Sequence, residues 1–480
     1  MFKNKIILKI LNYYKDLWAL GYTSAIAHWD METYMPSKGI EHRAEGLGRI
    51  ATIKQRFFLN KEFVGLIHKA YGIKQLTDQE KGVIRILTRS LKFYEKLPKE
   101  FIEEFEKLTN TATLVWRRAK ETENYKLFEP YLIKIFEMNR KMAECLGYKD
   151  SPYDALLDLF EEGLTVSVVE PFFDEIKHPL QKLIRHDKPH FLENAKYDRE
   201  KLKSLNQKIL KSLWPDFGKN FRIDESAHPF TTSFSNSDTR ITTWYHEHDF
   251  GRSLLATIHE FGHALYDMQS APELEMTPIA GGSSLVIHES QSRFWENHVG
   301  RSKDFIKNSL DDLMTVVNKT LRLDDVYSYF NRISPGLLRV EADEVTYHFH
   351  IMLRYEIEKG IIENEMRVRD LREIWNVKMK DYLGIAPKKD NEGVLQDIHW
   401  SQGMVGYFPT YSLGTFLAAQ WRSKMLNAKS QMLNYDKTKA WLRRHIHKYG
   451  SAYRMQDLLK KNKMKFDPRV NLNYLSKKYL

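Results

Sequence analysis

Two histidines and a glutamate crowd together in Ile258-His259-Glu260-Phe261-Gly262-His263-Ala264-Leu265-Tyr266. On an α-helix, positions i and i+4 share one face, one turn apart. His259 and His263 placed that way can bind one zinc ion, and Glu260 can serve as general base toward an attacking water. A hydrolytic zinc site wants three protein ligands and one open position. The third ligand is expected on a nearby element, and Glu289 in Ser283-Ser284-Leu285-Val286-Ile287-His288-Glu289-Ser290-Gln291 is placed to supply it after one loop and a return. Such a His2Glu set hydrolyses amide bonds. The bland alternative leaves His259 and His263 as ordinary helix residues.

Elements able to position these groups are visible in the flanking sequence. Leu254, Leu255, Ile258, Phe261, Leu265 and Met268 recur at spacings of three and four, and Asp249 is an N-cap residue type. The loop Ala280-Gly281-Gly282-Ser283-Ser284 ends in N-cap residues and opens a second helix running through Phe294, Trp295 and His298. Ahead of both, Thr231 to Phe234 and, Arg240 apart, Thr239 to Tyr245 are β-branched, hydroxylated or aromatic. They read as strands around an Asn236-Ser237-Asp238 turn, either a structural hairpin or an edge that pairs with a peptide. A second unusual stretch, Gly393 to Tyr411, is broken by glycines and carries His399, Tyr407 and Tyr411 as hydrogen-bond donors. The remainder reads as helix. Two helices surround Trp29 to Pro36, Pro98 and Pro130 mark helix starts, and Pro335-Gly336 interrupts the 303–385 run.

The bulk composition bounds the class. The 480 residues are 42% hydrophobic and 29% charged, with only 23 Gly and 15 Pro, which favours a helical globular protein. Cys145 is the sole cysteine, so no internal disulfide exists; it reads as a small apolar residue on a helix. The N-terminus shows no cleavage-site pattern and no stretch reads as a membrane span, so a cytoplasmic location is expected. The net charge is +11, and residues 421–480 hold 16 Lys/Arg against 3 Asp/Glu. That segment reads as a solvated basic surface rather than a nucleic-acid or membrane contact.

Six motifs stand in order: His228-Pro229-Phe230, Asp238-Thr239-Arg240-Ile241-Thr242, His259-Glu260-Phe261-Gly262-His263, His288-Glu289-Ser290-Gln291, Arg339-Val340-Glu341-Ala342-Asp343, and Gly393-Val394-Leu395-Gln396-Asp397-Ile398-His399-Trp400. Together they resemble the thermostable metallocarboxypeptidase (carboxypeptidase Taq) family over essentially the whole chain. The resemblance implies a mainly α, two-lobed fold like that of neurolysin and angiotensin-converting enzyme, with a deep groove and a small sheet near the metal. It implies one domain over 1–480, N-terminal helices (about 1–75) covering the groove, and an active-site region of about 228–411. It also implies a homodimer, zinc or cobalt as metal, and removal of C-terminal residues from peptides with broad specificity. Carried over by position, His259, His263 and Glu289 are the metal ligands and Glu260 the base. Arg339 resembles the residue that holds the substrate's terminal carboxylate, with Arg240 a second candidate. His399 and Tyr407 or Tyr411 resemble the oxyanion stabilisers. Phe261 stands where alanine is more usual, a change expected to affect packing rather than ligation, and the basic C-terminal end is less typical. Two rivals remain: an oligopeptidase or dipeptidase on the same scaffold, and a non-catalytic helical binding protein using the basic tail.

Overall fold

The computed structural model describes residues 1–480 apart from 194, 283 and 427–433. Ser283 of the glycine loop and part of the basic 421–480 segment therefore lie outside the described residues. The described residues form nineteen α-helices and one three-stranded sheet. None of the helices is long and apolar enough to cross a membrane. The chain divides into two compact units. One comprises Met1–Lys92, His190–Phe330 and Trp421–Lys465; the other comprises Phe93–Pro189, Asn331–Gln420 and Phe466–Leu480.

In the first unit, helices Lys5–Thr33 and Lys61–Tyr71 present Ile7, Ile10, Leu11, Leu17, Phe63 and Ile67 to a shared core. Spacings of three and four put these side chains on single stripes. The sheet follows: β1 (Phe221–Glu225), β2 (Thr231–Ser235) and β3 (Asp238–Thr243). Its order is β1-β3-β2, with β3 parallel to β1 and antiparallel to β2. The expected hairpin of β2 and β3 is present. β1 was not anticipated, because Arg222, Asp224 and Glu225 hide its alternation.

In the second unit, helix Tyr347–Ile362 is buried nearly all round, including Phe349, Ile351, Leu353, Ile357 and Ile361. A helix apolar on every side belongs in the middle of a domain. This one also buries His348, His350, Arg354 and Glu358 at 0% exposure, so it brings polar groups into the core that require partners.

Two local expectations are corrected. Pro130 does not start its helix, which begins at Tyr125 and runs to Leu146. The buried stripe of Tyr125, Phe128 and Leu132 carries the helix through the missing N–H. Cys145 lies on that same helix but is exposed, so it fills no core space.

Candidate metal centre

Helix Phe250–Met268 carries the H-E-x-x-H residues and begins at the expected cap, where Asp249 accepts from the Arg252 N–H at 2.9 Å. Its apolar stripe is buried: Leu254, Ile258, Phe261 and Leu265 are 0% exposed. Phe261 packs edge-on against Trp295 at 5.0 Å between ring centres, the packing role expected of it. Gly262 sets how closely the next element approaches. A Cβ there would lie 2.5 Å from the Gln291 carbonyl oxygen and 2.6 Å from Ser292 Cα. The helix Leu285–Arg293, capped by Ser284 accepting from Ile287 N–H, thus lies backbone to backbone against the histidine helix. That contact brings Glu289 to the histidines.

His259, His263 and Glu289 each offer a ligand atom within 4.8 Å of the others. Glu289 Oε2 stands 3.6 Å from His259 Nε2 and 3.5 Å from His263 Nε2. These separations are too long for hydrogen bonds. They match the roughly 3.4 Å between two ligands that each sit roughly 2.1 Å from one tetrahedral ion. The donor set fits a divalent metal in chemistry as well as spacing.

Each of the three candidate ligands is held from behind. His259 Nδ1 meets Glu296 Oε2 at 2.8 Å, and Glu296 is itself bound by Arg293 (3.0 Å) and Arg301 (3.1 Å). Glu296 lies in a π-helical turn, Phe294–Gly300, that continues the Glu289 helix. His263 Nδ1 meets His288 Nδ1 at 2.6 Å, and His288 Nε2 faces Asp267 Oδ1 at 3.6 Å. With Nε2 of each ligand turned to the metal position, the Nδ1 protons donate backwards, to Glu296 and to His288. The tautomers follow from that bonding pattern. Glu289 accepts from Arg293 Nε at 2.7 Å and from Ser292 at 3.0 Å.

The electrostatics agree. Burial raises the Glu289 carboxyl, but Arg293 and the two histidines outweigh it and hold the group well below the usual range. Burial lowers His263. At His259 the same effect is exceeded by Glu289 and Glu296, and the net shift is upward. Glu260 is 7% exposed, and its Oε2 accepts from the Thr231 hydroxyl of β2 at 2.6 Å.

The remaining sequence-predicted residues fall in two other places. Arg240 lies on β3 in the same unit as the histidines, paired with Asp238 through two bonds of 2.9 and 2.8 Å and stacked over Phe234. Arg339, His399, Tyr407 and Tyr411 gather in the second unit. His399 Nε2 meets the Tyr411 hydroxyl at 3.2 Å, and Tyr407 packs on both rings. Arg339 gives Nε and Nη2 to Asp397 Oδ1 at 2.9 and 2.7 Å and lies over Tyr411 at 5.2 Å. A second buried guanidinium, Arg354, holds Asp397 Oδ2 at 2.7 Å. Two cations thus share one carboxylate, leaving positive charge in excess around it. Burial lowers His399 to about 3, helped by the two arginines and opposed by Asp397, so its ring is neutral at ordinary pH.

The sequence reading missed Glu296, Arg354, Asp397 as an ion-pair partner, Thr231, and any role for His288. Glu296 follows Glu289 by two helical turns, a signal that was available on the second helix. Arg354 is a charge inside an apolar helix pattern, which asks for a buried partner.

Comparison with known proteins agrees with this geometry. The family profile described as Carboxypeptidase Taq (M32) metallopeptidase matches residues 9–479. Thermostable carboxypeptidase 1 of Pyrococcus furiosus is 44% identical, over 96% of this chain and 95% of its own. Carboxypeptidase 1 of Bacillus subtilis is 37% identical, over 98% and 96%. A solved structure of the Pyrococcus furiosus carboxypeptidase superposes with a TM-score of 0.96 over 100% of both chains at 42% identity. Metallocarboxypeptidase 1 of Trypanosoma cruzi gives a TM-score of 0.91 over 99% of both chains at 30% identity. The chain belongs to the carboxypeptidase Taq (M32) family of metallopeptidases and is a metal-dependent carboxypeptidase.

Proposed function

We propose that His259, His263 and Glu289 hold the catalytic divalent metal, zinc in the first place and cobalt as the alternative, and that Glu260 is the general base. The observation that carries this reading is the 3.5 and 3.6 Å spacing of Glu289 Oε2 from the two Nε2 atoms, with Glu260 one residue from a ligand. When bound, the metal supplies Lewis acidity that polarises the scissile carbonyl and activates water. Glu260 takes the proton of the attacking water and delivers it to the leaving amine. Thr231 holds the Glu260 carboxylate by its hydroxyl and so fixes the direction in which it works. His399 and Tyr407 or Tyr411 donate hydrogen bonds to the developing oxyanion, each such donor being worth about 10²–10³ in turnover.

Arg339 reads the substrate's free carboxylate. The excess positive charge that Arg339 and Arg354 leave around Asp397 supports this, since an arriving carboxylate completes the neutralisation. Arg240, paired with Asp238, is the second candidate. The chain acts as a single catalytic domain whose active-site region is about 228–411, on peptides of broad sequence, as a cytoplasmic homodimer with neither nucleic acid nor membrane as partner.

The test uses purified protein with one peptide in free-acid and amidated forms, with and without chelator, followed by mass spectrometry. Single residues should leave the free-acid peptide only, and only without chelator. Glu260→Gln should keep its metal by elemental analysis and lose about 10²–10⁴ in turnover. Wild-type turnover in that variant would remove Glu260 from the mechanism.

A further inference from the structure

Beyond the metal centre, the core of the second unit buries two ionisable side chains on one helix. Helix Tyr347–Ile362 places Arg354 and Glu358 one turn apart, both 0% exposed. Arg354 binds Asp397 at 2.7 Å and the Gln396 side-chain oxygen at 2.7 Å, just ahead of His399. Glu358 Oε1 accepts from the Trp400 indole at 2.6 Å, and Oε2 accepts from Gly406 N–H at 2.8 Å. Oε2 also accepts from the Tyr153 hydroxyl at 2.6 Å. The two ends of the segment 400–406 are thus tied to one carboxylate, with His399 directly before it and Tyr407 directly after.

We propose that Glu358, with Arg354 as its counterpart, is a positioning residue that sets the distance and direction of His399 and Tyr407; the inference rests on the oxyanion role given to those residues above.

The segment does not hold this shape through ordinary backbone preference. Gly406 has φ +102°, and a Cβ there would come within 2.8 Å of Leu156 backbone atoms. Three donors converge on Glu358, and only a carboxylate presents acceptors alone. Burial pushes its carboxyl up to about 7, while the three donors and Arg354 pull the other way. At pH 8 the anion is the dominant form.

Glu358→Gln keeps the shape and turns one acceptor into an N–H₂ that faces a donor. It should bind metal as wild type and lose about 10²-fold in kcat on an N-blocked dipeptide at pH 8, as expected for a catalytic group displaced by about 1 Å. KM should stay within about threefold, because the damage falls on transition-state contacts. The decisive arm is the double variant. In a His399→Ala background, Glu358→Gln should lower kcat by about tenfold or less instead of 10²-fold, since one of the two groups it positions is gone and only Tyr407 is left to displace. Equal losses in both backgrounds, with His399→Ala itself damaging, would make Glu358 a scaffold residue and overturn the inference alone. No loss from His399→Ala would overturn the oxyanion assignment and the inference with it. Should Glu358→Gln fail to fold, Trp400→Phe removes one of the tying bonds and keeps a ring. It should lose about tenfold in kcat with the same dependence on His399, and an additive loss would overturn the inference.

Discussion

The cluster around His259, His263 and Glu289 and the cluster around Arg339, Asp397 and His399 are both buried and highly charged, but they solve their electrostatics differently. In the first, the three ligand atoms face one another at separations that make no bond. Their bonds all run outward, to Glu296, His288, Arg293 and Ser292. In the second, the groups bond inward: Asp397 takes both arginines, and Gln396 takes Arg354 and the Arg339 backbone. The first arrangement leaves a place that a cation would fill. The second is closed by hydrogen bonds among its own members, with one positive charge left in excess. Each cluster should therefore break in its own way.

The largest effect is expected where the closed network loses its centre. Asp397→Asn leaves two buried guanidiniums without the carboxylate they share. Breaking a buried ion pair from one side costs about 3–5 kcal/mol. Denaturant unfolding should register a loss of that size whether or not metal is present. A loss under about 1 kcal/mol, in the range of exposed pairs, would mean that the network is relaxed or solvated.

Metal removal acts on the other cluster. A ligand present at a hundred times its dissociation constant stabilises the folded state by about 2.7 kcal/mol. Dialysis against chelator should lower the melting temperature accordingly, and added zinc should restore it. In Asp397→Asn the same increment should appear unchanged, because the two clusters are separate networks. If the increment vanished there, the distinction between an open and a closed cluster would fail.

The two clusters also differ in how far their sequences announced them. His259, His263 and Glu289 lie on regular helices with readable caps at Asp249 and Ser284, so a spacing of four and a return loop sufficed. Gly262 was visible as a residue, but its meaning was not. Only the packed structure shows that a Cβ there would strike Gln291 and Ser292. The second cluster sits on an irregular segment whose shape depends on residues far away in sequence, Tyr153 and Glu358 among them. No periodicity encodes such contacts. The glycine-broken stretch singled out His399, Tyr407 and Tyr411, and the family resemblance added Arg339 and the roles, but neither pointed to the residues that hold them. β1 was hidden for a related reason: its identity comes from pairing with β3, not from its own charged sequence.

A smaller effect is expected behind the ligands. Glu296→Gln keeps the size of the side chain and removes the charge that receives the His259 Nδ1 proton. Substituting such an outer partner weakens metal affinity by about 10–100-fold. Competition with a chromophoric chelator measures this directly. His288→Asn should weaken affinity less, because His263 is backed by another imidazole rather than by an anion held between two arginines. Equal losses would show that orientation, not charge, is what these partners supply.

The smallest effect near neutrality concerns pH. His399 has a folded pKa lowered to about 3, chiefly by burial and then by Arg339 and Arg354, against about 6.5 in an unfolded chain. A lowered histidine pKa means that the unfolded chain binds the extra proton first. Its stabilising contribution is full above about pH 6.5 and is lost progressively as the pH falls toward the folded value, by at most about 1.4 kcal/mol per unit. His399→Gln removes that titration while leaving an amide able to meet Tyr411. In chelator-treated protein, so that metal loss adds nothing, the stability of wild type should fall more steeply between pH 6.5 and 5 than that of His399→Gln. Identical slopes would show that His399 is hydrated enough to titrate normally, and the closed character of its cluster would have to be abandoned for that residue.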